Sequence, residues 1–205
     1  MLTKTEERNF WLHRIHSLAG IVPIGGFIAF HFYENYSALR GAEHYNEVAH
    51  ALRVMPFSLI LEIAVIIVPI FFHGIYGLFI TATAKPNNQP YRRNRMYSLQ
   101  RYTGVILFAY ILFHLWTTRF VNLGDHESVN LFATMQAVVH NRWLLAFTIL
   151  GILSATFHLA NGIWSFCIVW GITVSPRSQR MMEWVSIAVF TVLSIVGVRA
   201  IFAFV

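Results

Sequence analysis

A single cysteine, Cys167, is the whole thiol complement of the 205-residue chain. One thiol excludes an intrachain disulfide, a cysteine-rich zinc site, a self-contained iron–sulfur cluster and the C-x-x-C-H attachment of c-type haem. Charge is scarce as well. Asp, Glu, Lys and Arg make up 12% of the residues, where an ordinary soluble domain carries about 25%. No G-x-G-x-x-G follows a strand-like run, so there is no dinucleotide fingerprint. Low-complexity tracts and long linkers are absent too. What remains is apolar. Hydrophobic residues are 57% of the chain and the mean hydropathy is +0.57, which excludes a disordered chain and a water-soluble globule. The formal charge of +6 invites a nucleic-acid reading. The basic residues, however, sit in short loops beside apolar runs, where they report topology; no nucleic-acid partner is expected.

Five apolar runs are long enough to span a bilayer: Arg14–Tyr33, Phe57–Ala84, Leu99–Thr118, Trp143–Trp170 and Met182–Val205. Crossing a hydrocarbon core takes roughly 20 residues of helix. The expected fold is therefore an all-α integral membrane protein of five transmembrane helices, one domain over residues 1–205. The opening stretch MLTKTEERNFWLHR is polar and offers no small-residue cleavage site, so the first helix is expected to be a retained anchor. Lys4, Arg8, Arg14, Lys85, Arg92, Arg93, Arg95, Arg101, Arg177 and Arg180 fall on the side of the N-terminus, against Arg40, Arg53, Arg119 and Arg142 on the other. By the positive-inside rule the N-terminus is predicted cytoplasmic and the C-terminus outside. The polar loops 34–56 and 120–142 can carry short interfacial helices on the outer side.

Ten histidines are present. His13, His16, His44, His50, His126 and His140 lie in the N-terminal segment, interfaces or outer loops, whereas His31, His73, His114 and His158 lie well inside spans, one per helix. Each of these four follows a phenylalanine. Helical rise puts His31 roughly 25 Å, and His114 roughly 22 Å, from the inner ends of the first and third helices. The second and fourth helices run the other way, which puts His73 and His158 about 22–24 Å from the outer surface. The four sort into an outer pair, His31 with His114, and an inner pair, His73 with His158, about 16 Å apart in depth. Two imidazoles on facing helices at one depth are what a six-coordinate haem needs, and ligation offsets the cost of a polar ring in lipid. A zinc site would need about four ligands at one point. A proton relay or a haem-free transporter could use stacked histidines, but neither needs them paired across helices. The pattern favours two bis-histidine haems held in a bundle of the first four helices, with the fifth outside it.

Glycines accompany these histidines. Gly77 and Gly162 follow His73 and His158 by four residues, and Gly20 and Gly104 fall near the inner level on the first and third helices. Small residues admit a planar macrocycle between helices, although they also serve ordinary helix packing. The stretches FHGIYGLF and FHLANGIW echo each other, and His31–His73 and His114–His158 span 42 and 44 residues. Two related helix pairs about an axis along the membrane normal are implied.

The stretches RIHSLAGIVP, RGAEHYN, LEIAVIIVPIFFHGIYG, LQRYTG, FHLWTTR, FHLANGIWSF and WGITVSPRSQR cover nearly the whole chain. Together they resemble the cytochrome b membrane anchor of succinate:menaquinone oxidoreductases, the single-chain, di-haem, five-helix type of bacterial cytoplasmic membranes. The resemblance implies two haem b groups ligated by His31, His73, His114 and His158. It also implies a flavoprotein and an iron–sulfur subunit docked on the cytoplasmic face, and electrons passing between that iron–sulfur subunit and menaquinone. Histidine pairing alone does not separate this anchor from other di-haem membrane cytochromes; these motifs do.

Remaining polar residues have candidate roles. Glu62 is the acidic residue set well inside a span, near the outer level. It is a candidate for proton exchange with menaquinone, or alternatively a structural partner of Arg199 or Arg53. Haem propionates need cationic or hydrogen-bonding partners. Arg119 and Trp116 are the candidates at the outer level, and Arg101, His16 and Ser17 at the inner one. The run Tyr91–Arg95 and the PRSQR segment are candidate docking points for the iron–sulfur subunit, or simply topology-setting charge.

Overall fold

The computed structural model describes residues 3–84, 92–120 and 130–205. Lys85, Tyr91 and His126 lie outside the described residues, as does the Arg92 side chain. Among the described residues the chain is helical: α1 Lys4–Ile21, α2 Pro23–Tyr36, α3 Ala42–Arg53, α4 Ser58–Thr83, α5 Arg92–Leu115, α6 Leu131–His140, α7 Arg142–Val169 and α8 Pro176–Phe202. Five segments are long and apolar enough to cross a membrane: α1 with α2, α4, α5 with its extension to Phe120, α7 and α8. α3 and α6 are the short helices expected between spans. The end of the bundle that carries them is the outer end in the predicted orientation, and the opposite end is the inner one.

Three helices begin earlier than their apolar runs. α1 starts at Lys4, where Thr3 and Glu6 form a capping box. α8 starts at Pro176, behind a reciprocal cap between Ser175 and Ser178. Proline suits this first helical position because its missing N–H would have no partner there. α5 starts at Arg92 instead of Leu99. Hydropathy marks only the lipid-embedded part, while polar helix formers carry the hydrogen-bond ladder beyond it.

Two departures from straight α-helix shape the interior. The first span breaks between Ile21 and Pro23, since proline lacks the N–H that would continue the ladder. In α4 a π turn, Glu62–Ile67, lies just ahead of Pro69, where the ring would otherwise press on the preceding turn. A second π turn, Trp116–Phe120, ends the third span. Gly171 closes α7 at φ 69°, the left-handed cap conformation that favours glycine, and a short turn leads into α8.

α7 packs on both α5 and α8, α1 on α4 and α7, and α2 on α8. The fifth span therefore lies against the fourth and first, outside the ring of the other four. Its outer end still reaches inward, because Gly197, Ala200, Ile201 and Phe204 line the central cavity. The buried apolar core is an outer cap. It joins Ala38, Tyr45, Met135, Val139, Ile152, Ile201 and Phe204. Below that cap the helices line a partly open cavity of about 1800 Å³.

Candidate functional site

The four intramembrane histidines all line this cavity, and they meet in the two expected pairs. The ring centroids of His73 and His158 are 6.0 Å apart at 88°. Those of His31 and His114 are 5.8 Å apart at 69°. Among the described residues no three His, Cys, Asp or Glu side chains converge as a metal-ion cluster.

At the inner pair the tautomer is determined by backbone. His73 Nδ1 lies 2.9 Å from the His16 carbonyl oxygen and His158 Nδ1 3.0 Å from that of Gln100. A carbonyl can only accept, so each Nδ1 is the protonated donor. In a neutral imidazole this leaves the Nε2 lone pair available for a ligand. Glycine makes the approach possible. A Cβ on Gly20 would collide with the His73 ring, 2.9 Å from Nδ1. On Gly104 it would lie 2.9 Å from His158 Cε1 and 3.3 Å from Nδ1. Each glycine stands four residues after the residue whose carbonyl accepts. Gly20 and Gly104 thus make room for the imidazoles themselves, a different role from the macrocycle clearance expected of them. A Cβ on Gly77 would lie 3.2 Å from His16 Nε2, and one on Gly162 at ordinary contact distance from Gln100 and Ile21. The repeat therefore extends beyond the histidines: His16–Gly20–His73–Gly77 in the first half answers to Gln100–Gly104–His158–Gly162 in the second.

The remaining inner candidates gather at the same end. His16 stacks on His73 with centroids 4.0 Å apart. Its Nε2 is buried without a hydrogen-bond partner, as is Arg101 Nε. Arg101 also donates to the Tyr97 hydroxyl. Ser17 accepts from Trp170 Nε1 at 3.1 Å and donates to the Arg14 carbonyl at 2.9 Å, so its hydroxyl is already engaged.

At the outer pair His31 Nδ1 is 3.3 Å from Glu34 Oε2, and the Asn35 amide donates to the His31 carbonyl at 2.8 Å. Tyr45 donates its hydroxyl to Asn35 Oδ1 at 3.2 Å. Burial pushes the Tyr45 phenol well above its ordinary pKa, and nearby Glu34 adds to the shift. His114 stacks on Tyr110.

Glu62 is held by Arg119, not by Arg199 or Arg53. Arg119 Nε donates to Oε1 at 2.8 Å and Nη2 to Oε2 at 3.1 Å. Trp116 does not line the cavity and is 65% exposed; two residues after His114, it falls on the opposite face of the helix. Of the basic docking candidates, Arg95, Arg177 and Arg180 are exposed. Arg93 turns inward, 3.9 Å over the Trp164 ring and 3.7 Å from Glu183.

Five apolar helices around one cavity with histidines paired at two levels define the class: a polytopic helical membrane protein with intramembrane imidazole pairs. A family model described as the succinate dehydrogenase/fumarate reductase transmembrane subunit matches residues 83–197. The succinate dehydrogenase cytochrome b558 subunit of Bacillus subtilis (strain 168) is 44% identical over 200 residues, covering 97% of this chain and 98% of its own length. The chain belongs to this family and is a cytochrome b membrane anchor of succinate dehydrogenase/fumarate reductase.

Proposed function

We propose that this anchor holds two bis-histidine haem b groups and a menaquinone site, and joins a cytoplasmic iron–sulfur subunit to the quinone. The two opposed histidine pairs carry this reading. Metal–imidazole bonds of about 2 Å on opposite faces of a macrocycle, with about 1 Å from each nitrogen to its ring centre, set centroids about 6 Å apart. The 6.0 and 5.8 Å separations agree with that spacing. Single-ligand pockets run about 300–1,000 Å³, so a cavity of about 1800 Å³ has room for more than one large group. The unpartnered nitrogens of His16 and Arg101 fit an anionic propionate.

His73 and His158 would hold the inner group and His31 and His114 the outer one. Bound there, the haems supply reversible one-electron carriers at two depths between the iron–sulfur subunit and menaquinone. The carbonyls of His16 and Gln100 keep the inner ligands in the Nε2-ligating tautomer. Glu62, on the cavity wall at the outer end, exchanges protons with menaquinone. Arg95, Arg177 and Arg180 offer exposed charge to the iron–sulfur and flavoprotein partners, with the N-terminus cytoplasmic and the C-terminus outside.

Substituting the ligands one at a time tests the pairing. His73→Ala and His158→Ala should abolish one and the same b-type absorption band; His31→Ala and His114→Ala should abolish the other. Loss of different bands within a pair contradicts the assignment. Glu62→Gln should impair quinone turnover with both bands retained; a wild-type rate sinks the quinone role of Glu62.

A further inference from the structure

Glu62 and Arg119 each stand on a π turn, Glu62 opening Glu62–Ile67 and Arg119 within Trp116–Phe120. Such turns are rare and collect at functional sites. In a regular α-helix the residue overlying His114 would be Thr118, whose hydroxyl donates to the His114 carbonyl at 2.6 Å. Bonding from i to i+5 widens the turn, and Arg119 lines the cavity beside Thr118. The two turns belong to different spans, yet they deliver their side chains to each other.

The contact is a fork on a fork. Arg119 Nε and Nη2 reach Oε1 and Oε2 at 2.8 and 3.1 Å. Two parallel bonds fix the plane of the carboxylate, which the single ammonium of a lysine does not. Each carboxylate oxygen keeps a further lone pair free for a proton. Among the described residues, the other ionisable side chains on the cavity wall at this end are His31, Glu34, His50, Arg53, Tyr110 and His114. A charged pair within a span is costly to place there and points to function.

We propose that Arg119 is the positioning residue of the outer quinone site, holding the Glu62 carboxylate in the orientation from which it exchanges a proton with a quinone oxygen. This rests on the proposed quinone role of Glu62 and deepens it. Reduction of a quinone takes up two electrons, supplied by the dehydrogenase, and two protons. One O–H bond forms as the Glu62 carboxyl breaks its own; water supplies the second proton, and the carboxylate left behind recovers its proton from water. Quinol oxidation runs the same transfers backwards. Throughout, Arg119 moves no proton and only sets where the carboxylate points.

The test uses membranes carrying the whole complex, with succinate-driven reduction of a water-soluble naphthoquinone normalised to haem content. Arg119→Lys keeps the charge and loses the fork. It should lower kcat about ten- to a hundredfold, leave KM within about twofold and keep both haem bands. The double variant Arg119→Lys/Glu62→Gln should be no slower than Glu62→Gln alone, because the lysine change then has nothing left to misplace. Glu62→Asp keeps both charges but shortens the reach, and should show the same kcat loss even if Arg119→Lys does not assemble. A double variant slower by the product of the two single losses overturns the proposal. So does loss of the outer band in Arg119→Lys, which would assign the guanidinium to a haem. A wild-type rate in Arg119→Lys or Glu62→Asp, beside an impaired Glu62→Gln, removes the positioning role alone. A wild-type rate in Glu62→Gln removes the quinone reading and this proposal together.

Discussion

Gly104→Ala isolates the inner ligand geometry with a single methyl group. The new carbon would lie 2.9 Å from His158 Cε1 and 3.3 Å from Nδ1. Carbon atoms settle at about 3.5–4.0 Å, so the imidazole must retreat by about 0.6–1 Å. That retreat stretches the 3.0 Å bond from His158 Nδ1 to the Gln100 carbonyl past any useful length. A buried group left without its partner costs about 1–3 kcal/mol. Loss of the outer partner of a metal-bound histidine typically weakens binding about 10–100-fold, which converts to about 1.4–2.7 kcal/mol. The two figures agree. Gly104→Ala should therefore weaken inner-haem retention about 10–100-fold. Alanine is the better helix former by about 1 kcal/mol, so a weakened helix is not the cause. The assay is a low-temperature reduced-minus-oxidised spectrum of the purified complex, with the outer band as internal reference. Gly20→Ala, whose methyl would press on His73, should behave alike. Two bands of wild-type position and intensity in Gly104→Ala would refute the reasoning.

Two further outcomes concern stability. Thr156 is fully buried and its hydroxyl meets Ser194 Oγ at 2.8 Å, tying α7 to α8; Thr156→Val should cost about 0.6–1.7 kcal/mol, read as a lower thermal midpoint of the detergent-purified complex. Tyr45→Phe removes the hydroxyl that reaches Asn35 and should destabilise the outer cap by about 1 kcal/mol. In the wild type the raised phenol pKa keeps Tyr45 protonated well beyond pH 10, so in alkaline absorbance titration of the folded protein Tyr45→Phe should leave the amplitude from the exposed tyrosines unchanged.

The spans and the histidine pairs were legible in the sequence for physical reasons. Lipid demands a long apolar run, and rise per residue converts position into depth. His31 with His114 and His73 with His158 follow from that arithmetic, and the rings meet accordingly. The helix starts at Lys4, Arg92 and Pro176 were hidden because hydropathy is blind to helix outside the bilayer. The kink at Pro23 and the π turns at Glu62 and Trp116 were missed for a different reason. A single extra residue in the ladder rotates everything beyond it without altering composition. The turn that Trp116 opens carries Arg119, and Arg119 meets Glu62; Trp116 itself points outward simply because it stands two residues, about 200° of helix, after the cavity-facing His114. The roles of Gly20 and Gly104 were also concealed, since only a three-dimensional contact shows that each clears a path to a carbonyl four residues back. Pro69, seven residues after Glu62, was the available signal for the α4 irregularity; nothing comparable marks the turn at Trp116.

Two imidazole pairs, each gripping one iron, are the central claim. Haem content per anchor chain, measured by pyridine haemochrome on the purified complex together with its low-temperature electron paramagnetic resonance, tests it most directly. Two low-spin ferric haems per chain are predicted. One haem per chain, none, or a five-coordinate high-spin signal at full loading would contradict it.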